Sequence, residues 1–189
     1  RYQAVAVNIA TDDSDYPVYA WFEGDTTISL YTDADEVFLN ADSCDMFSNL
    51  TRLSIIGISF GVATDVDPDG DDIIIGRKDP VYITSNVTDM GSIFYSNDAL
   101  TTLDLSGWDT SSVTNMEYMF SKLQNTTTIY ASSLFDTSSV TNSSSMFYGT
   151  TSLVGGNGTT YDWSNDDKTY AHIDAPGAPG YFTAKPAGN

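Results

Sequence analysis

The chain has 189 residues, 41% of them hydrophobic and 13% aromatic, enough for a packed core and too apolar for global disorder. Seven basic residues face 26 acidic ones, a net charge of −19 that repels phosphate backbones and anionic lipid and so argues against nucleic-acid partners. No apolar run reaches the roughly 18 residues of a spanning helix, so no direct membrane insertion is expected.

The chain opens at Arg1-Tyr2-Gln3 without an initiator Met or a signal-peptide pattern, and it ends in a linker-like Lys185-Pro186-Ala187-Gly188-Asn189. Both ends are therefore expected to be cut from something longer. Residues 1–38 read as a β-rich N-terminal cap. Ala4–Ile9, Val18–Phe22 and Thr27–Tyr31 are rich in β-branched and aromatic residues, and Glu23-Gly24-Asp25 has the chemistry of a hairpin turn between the last two. Cys44 is the only cysteine, which excludes an internal disulfide. Standing just before Met46-Phe47, it is read as a small core residue and not as a nucleophile.

Residues 39–163 carry an internal repeat. Asp109-Thr110-Ser111-Ser112-Val113-Thr114-Asn115-Met116 and Asp136-Thr137-Ser138-Ser139-Val140-Thr141-Asn142-Ser143 are near-identical, and each runs on to a Met-Phe pair. Thr84–Phe94 is a third copy and Asn40–Phe47 a degenerate fourth. Phe47, Phe94, Phe120 and Phe147 mark the phase, at intervals of 47, 26 and 27 residues. The long first interval implies an insertion at about residues 57–83. Nine residues after each Phe stand Ile56, Leu103, Ile129 and Gly156, so the frame is lost at the last copy.

Within a copy, Leu103 and Leu105 alternate with polar residues, the pattern of a short strand with one buried face. Thr102 and Asp104, with their counterparts Thr128 and Tyr130, should then point outward as a polar ligand-binding face. Val113, Met116, Met119 and Phe120 recur three and four apart, which predicts a helical turn capped by Asp109 or by the Thr110-Ser111-Ser112 run. Strand plus helical turn in a unit of this length is a leucine-rich-repeat period, in which stacking closes the core. The predicted fold is an α/β repeat: a leucine-rich-repeat solenoid with short parallel strands, a β-rich N-terminal cap and an irregular C-terminal cap. Trp108 and Phe135 hold the same turn of successive copies and are read as core.

The insertion contains Asp65-Val66-Asp67-Pro68-Asp69-Gly70-Asp71-Asp72. Alternating carboxylates on a tight turn can converge hard oxygens on Ca²⁺, so Asp65, Asp67, Asp69 and Asp71 form a candidate calcium loop. Gly76 stands where an EF-hand would place its bidentate Glu, and the alternative is a solvated acidic turn. Residues 164–189 lose the repeat frame and read as C-terminal cap and linker. Pro176-Gly177 and Pro179-Gly180 are turns, and Tyr181-Phe182 is expected to tuck onto the last repeat.

The stretch from Leu103 to Phe120, LDLSGWDTSSVTNMEYMF, resembles the repeat of BspA-like bacterial surface proteins, whose unit joins a Leu-x-Leu strand, a Trp or Phe plus Asp-Thr-Ser turn, and a Val-Thr-x-Met…Met-Phe helix. The resemblance runs from Tyr16 to Ile56 and resumes from Thr84 to Phe182. Ser143 departs from it, replacing the first Met of its copy. It implies an extracellular, cell-surface or secreted, non-enzymatic adhesion module whose partner is a protein or glycan on a host or neighbouring cell. Two other readings stand beside it: a structural subunit that self-assembles into a filament or virion appendage, and a calcium-dependent binder. An enzyme is not expected. His172 is the only histidine and lies outside the repeat frame, no phosphate-binding loop is present, and no cofactor is required. Trp21, Trp108, Trp163 and the 12 tyrosines supply aromatic surface for binding a sugar or a protein.

If the acidic loop holds Ca²⁺, millimolar calcium should raise the melting temperature of the wild-type chain by ligand linkage, and Asp67→Ala should abolish the rise. An unchanged calorimetric transition with and without calcium would return the loop to a solvated turn.

Overall fold

A computed structural model describes residues 7–8, 19–23, 27–31, 36–49, 55–57 and 81–185. The candidate calcium loop, with Asp65, Asp67, Asp69 and Asp71, and the turn residues Gly24 and Asp25 lie outside the described residues.

The first three strands, β1 (Val7–Asn8), β2 (Tyr19–Glu23) and β3 (Thr27–Tyr31), form an antiparallel sheet in that order. Among the described residues the later strands pair in parallel, with isolated antiparallel bridges at Val154–Thr160 and Ala175–Ala178. Strand β4 (Glu36–Phe38) pairs with β6 (Val81–Ile83), so the latter part of the proposed insertion joins an ordered two-stranded sheet. Strands β5 (Ile55–Gly57), β7 (Thr102–Asp104), β8 (Thr128–Ala131) and β9 (Phe182–Ala184) form a four-stranded sheet in that order. Ile56, Leu103 and Ile129 are direct neighbours across it, each one repeat from the next.

Opposite the sheet the chain makes no α-helix among the described residues, and the helical turn expected over Val113–Phe120 is corrected. The backbone there alternates between two kinds of hydrogen bond. The amides of Met116, Tyr118, Phe120 and Lys122 donate to the carbonyls of Asn142, Ser144, Met146 and Tyr148 in the next coil, at 2.8, 3.1, 2.8 and 2.7 Å. Between them, Met119 and Ser121 donate three residues back, to Met116 and Tyr118, at 3.2 and 3.0 Å. The pattern needs a left-handed residue twice per coil: Asp45 and Asn49, Ser92 and Ser96, Tyr118 and Lys122, then Ser145 and Gly149. A helix would put every one of these N–H groups on its own chain; here half of them tie one coil to the next. Inward residues three apart are common to both conformations, so the hydrophobic spacing could not separate them.

The repeated polar residues have matching roles. Thr88, Thr114 and Thr141 each donate both backbone N–H and hydroxyl to a carbonyl of the preceding coil, that of Ala41, Thr88 and Thr114 respectively, at 2.8 and 3.1 Å. Asp42, Asp89, Asn115 and Asn142 form a ladder of parallel bridges. Each side-chain oxygen accepts the N–H two residues on, from Cys44, Gly91, Glu117 and Ser144, so the short side chains close a local turn instead of capping a helix. The Asn115 amide also donates to both Asp89 carboxylate oxygens, at 3.0 Å each. The Thr110 hydroxyl donates to the Asp136 carbonyl and accepts the Asp136 N–H, both at 2.8 Å, and Thr84 does the same to Asp109.

The core is a column of rings. Phe47 and Phe94 stack with centroids 5.8 Å apart, Phe94 and Phe120 at 5.9 Å, and Phe120 and Phe147 at 5.3 Å. Phe94, Phe120 and Phe147 are fully buried, among Met90, Met116, Met119 and Met146. Trp108 and Phe135 are buried against the column from the turn after each strand, with Trp108 5.6 Å from Phe94 and Phe135 6.4 Å from Phe120. Cys44 is not in this core. It is exposed, at the position held by Gly91, Glu117 and Ser144 in the other copies, of which Ser144 is exposed, Glu117 half-buried and Gly91 buried.

The last copy has no strand of its own at Gly156. Instead β9 arrives from beyond a 3-10 turn at Lys168–Tyr170 and pairs with β8, placing Phe182 beside Ile129. Tyr181 meets Phe147 edge-on at 5.0 Å and closes the ring column. Asp174 ties this end together. Its carboxylate accepts the N–H groups of Asn157 (2.8 Å), Thr159 (2.9 Å) and Gly180 (3.3 Å) and the Thr159 hydroxyl (2.7 Å). Gly155 is required here, because a Cβ would stand 2.2 Å from the Gly180 carbonyl oxygen. Burial pushes the Asp174 carboxyl up, but the hydrogen bonds from Thr159, Asn157 and Gly180 outweigh it and hold the group below the usual carboxylate range.

Phe120→Ala should lower the free energy of unfolding by about 3–5 kcal/mol in urea titration, since the ring touches neighbours above, below and beside it. A loss under about 1 kcal/mol would contradict its burial. Asp174→Ala should cost about 2–3 kcal/mol near neutral pH by orphaning three backbone donors. The folded carboxyl titrates below its unfolded value, so its contribution is present above about pH 4 and is lost as the pH falls through the lower folded value. The gap between wild type and variant should accordingly close in acid; a gap independent of pH would show that the ionised carboxylate is not what holds the cap.

Candidate functional site

Two surfaces combine regular geometry with exposed polar chemistry. The first is the outer face of the parallel sheet. Leu103 and Ile129 point inward and are fully buried, so the residues flanking them on β7 and β8 take the opposite face. Thr102 lies beside Thr128, and Asp104 beside Tyr130, in direct register. All four are half-buried. The sheet thus brings together the four residues singled out from the strand pattern.

What the strand pattern does not disclose is Lys185. It follows β9 and crosses β8, pairing its ammonium with the Asp104 carboxylate and lying 5.2 Å from the centroid of the Tyr130 ring. Asp104 also accepts the Ser106 N–H at 3.0 Å. Burial raises the Asp104 carboxyl, and the hydrogen bonds from Lys185 and Ser106 more than compensate, leaving it below the usual range. Asp104 is therefore already engaged within the molecule, and the Thr128 hydroxyl lies 3.5 Å from that of Thr127. Lys185 could be found in the sequence only as a basic residue in a linker-like tail.

The second surface lies on the turn side. A groove of about 450 Å³ runs across four coils, between residues that flank the phase-marking phenylalanines. Tyr95, Tyr118 and Tyr148 supply its aromatic surface. Tyr118 and Tyr148 are 40% and 55% exposed, high for tyrosines inside an ordered lattice. Tyr95 and Tyr118 meet edge to face at 6.3 Å, and the Lys122 ammonium sits 4.9 Å from the Tyr95 ring centroid. Polar groups from Asp45, Asn49, Ser48 and Ser92 complete the walls. Sequence reasoning counted the tyrosines without placing them. Their signal was positional: two residues before each Phe stand Asp45, Ser92, Tyr118 and Ser145, and one residue after it Ser48, Tyr95, Ser121 and Tyr148. These outward positions vary while the Phe between them does not.

Cys44 hydrogen-bonds with Asp42, which with burial and the surrounding carboxylates pushes its thiol up to about 11, so it is protonated at neutral pH. His172 is exposed, with Nδ1 3.0 Å from the Ile173 carbonyl oxygen. Among the described residues no group of three or more His, Cys, Asp or Glu side chains converges to hold a metal ion. Trp163 is 80% exposed on the C-terminal cap, away from the ring column, whereas Trp108 is spent on the core.

Residues 78–175, just over half of the chain, match the family described as "Mycoplasma protein of unknown function, DUF285". The match begins just before β6, covers the three best-preserved coils and ends within the C-terminal cap, before β9. No curated protein matches the chain, and no solved structure matches it.

Proposed function

The chain belongs to the Mycoplasma family of unknown function DUF285, and we propose that it is a non-enzymatic, extracellular adhesion module of the BspA-like leucine-rich-repeat type, binding a protein or glycan on a neighbouring or host cell. One observation carries the reading: Thr102, Asp104, Thr128 and Tyr130 stand in register on parallel strands, a fixed polar face repeated from coil to coil. Such a face sets hydroxyls and an aromatic ring at fixed spacings, with the Asp104 carboxylate held by Lys185, the chemistry of a wet, hydrogen-bonded interface. The spacing of 26–27 residues between phase-marking phenylalanines, with one short parallel strand in each interval, supports the leucine-rich-repeat kinship. The protonated Cys44 thiol and the backbone-bound His172 support a binding role over a hydrolytic one. The extracellular placement follows from the resemblance to surface proteins and suits the acidic, soluble surface.

Beads coated with the purified chain should adhere saturably to cultured cell monolayers. Thr128→Arg combined with Tyr130→Ala should cut adherence about tenfold, roughly 1.4 kcal/mol of binding free energy, with the circular dichroism spectrum unchanged. Asp104 is left intact, because reversing its charge would also break the Lys185 pair. Adherence equal to wild type in the double variant would remove the strand face from the mechanism.

A further inference from the structure

We propose that the turn-side groove is a saccharide site, taking a short neutral oligosaccharide segment against Tyr118 and Tyr148. The proposal rests on the adhesion reading for its extracellular setting, and on the groove's own chemistry for its ligand.

The lining contains Asp, Asn, Ser, Tyr and Lys and not one aliphatic side chain. The only apolar surface available to a ligand is therefore tyrosine ring. A hydrophobic peptide anchor or an acyl chain has nothing to bury against there. A sugar ring does: its C–H face packs on an aromatic ring while its hydroxyls reach the donors and acceptors at the rim. Asn49, Ser48 and Ser92 supply those groups on one wall. The volume of about 450 Å³ falls within the roughly 300–1,000 Å³ of small-ligand sites, and its concavity suits a chain-like ligand better than the broad surface of a folded protein.

Charge selects within the sugars. Asp45 and Lys122 are the only ionisable side chains of the lining apart from the phenols, and their charges cancel. Beyond the groove the molecule carries −19. Sialylated or uronic-acid chains are repelled by that field without a local cationic cluster to compensate, so a neutral glycan is favoured.

The left-handed positions that recur in every coil place five of the lining residues, Asp45, Asn49, Ser92, Tyr118 and Lys122. Tyr118 and Lys122 occupy left-handed conformations, at φ 54° and 59°, which cost a bulky residue about 1–2 kcal/mol relative to glycine. The equivalent positions of the next coil hold Ser145 and Gly149, so the lattice accepts small residues there. The two large side chains kept in the strained positions both line the groove.

The test places the purified chain on a printed array of neutral, sialylated and uronic-acid glycans. Calorimetric titration then follows with the neutral glycan giving the strongest signal. Retention of neutral glycans is expected, with affinity at least tenfold weaker in Tyr118→Ala and in Tyr148→Ala. Lys122→Gly guards against misfolding: it should melt at the wild-type temperature or above it while binding the glycan several-fold more weakly. The proposal is overturned if no neutral glycan is retained, if only acidic glycans are, if both tyrosine variants bind as wild type does, or if the groove is occupied by a protein ligand instead. A dark array beside cells that still capture coated beads sinks the saccharide site and leaves the adhesion reading standing. A glycan signal from a chain that no cell captures supports the site and sinks the adhesion reading.

Discussion

Every coil of this molecule must find carbonyl partners for about half of its turn-side amides in the coil beside it. A buried N–H without a partner is costly, and these segments have no helix in which to satisfy themselves. The rest follows from that requirement. The donors must face along the stack at every second residue, so the residues between them turn back three positions, and two residues per coil enter the left-handed region. Coils fixed at that spacing bring equivalent side chains into columns. An inward column is worth filling with flat rings, and Phe47, Phe94, Phe120 and Phe147 fill it. A polar column is worth filling with residues that bond to their own kind one layer away, as Thr88, Thr114 and Thr141 do.

The same requirement makes the ends of the stack a problem, and the C-terminal end solves it with a strand from outside the repeat frame. Strand β9 gives β8 its parallel partner, and Phe182 enters the core beside Ile129 although 53 residues separate them in the chain. The segment that delivers β9 is held by a single buried carboxylate, Asp174, gathering backbone donors from both sides of the junction. One side effect reaches the outer face: the chain leaving β9 carries Lys185 over Asp104 and Tyr130. Cap and strand face are thus joined physically, and the chemistry of the face depends in part on a residue that belongs to the cap.

Much of this arrangement was legible in the sequence because it is written in side chains that repeat. The phenylalanine phase, the alternation around Leu103 and the matched Trp108 and Phe135 all depend on residue type at fixed spacing, and they locate the core, the sheet and its register. The turn side was not legible in the same way. Inward residues three apart serve a helix and a chain of three-residue turns equally, and what distinguishes the two is the destination of the backbone amides, which no side chain records. Gly149 was one visible clue, since glycine is the natural occupant of a left-handed position, but the corresponding Ser96 and Lys122 conceal it. Cys44 was misplaced for a related reason: in a degenerate copy its neighbours Met46 and Phe47 suggest the core, while its position is that of Gly91, Glu117 and Ser144. The groove tyrosines escaped because they occupy the variable positions, and Lys185 because contact between it and Asp104 spans 81 residues.

The interface between successive coils is also directional. From Met116 to Lys122 the alternate amides are given forward to the next coil, whereas Thr114 and Thr141 give theirs back to the coil before. A whole unit of 26 or 27 residues can be duplicated or deleted between Asp109 and Phe147 and leave both new junctions paired, whereas a change of a few residues would break the columns on either side. Heritable length variation in such a gene is therefore tolerated in quanta of one coil. The unbroken identity between the two copies is confined to Asp109–Asn115 and Asp136–Asn142, the stretch whose threonines and asparagines bond from one coil to the next. The reach of the molecule can then be altered by recombination without inventing a new core.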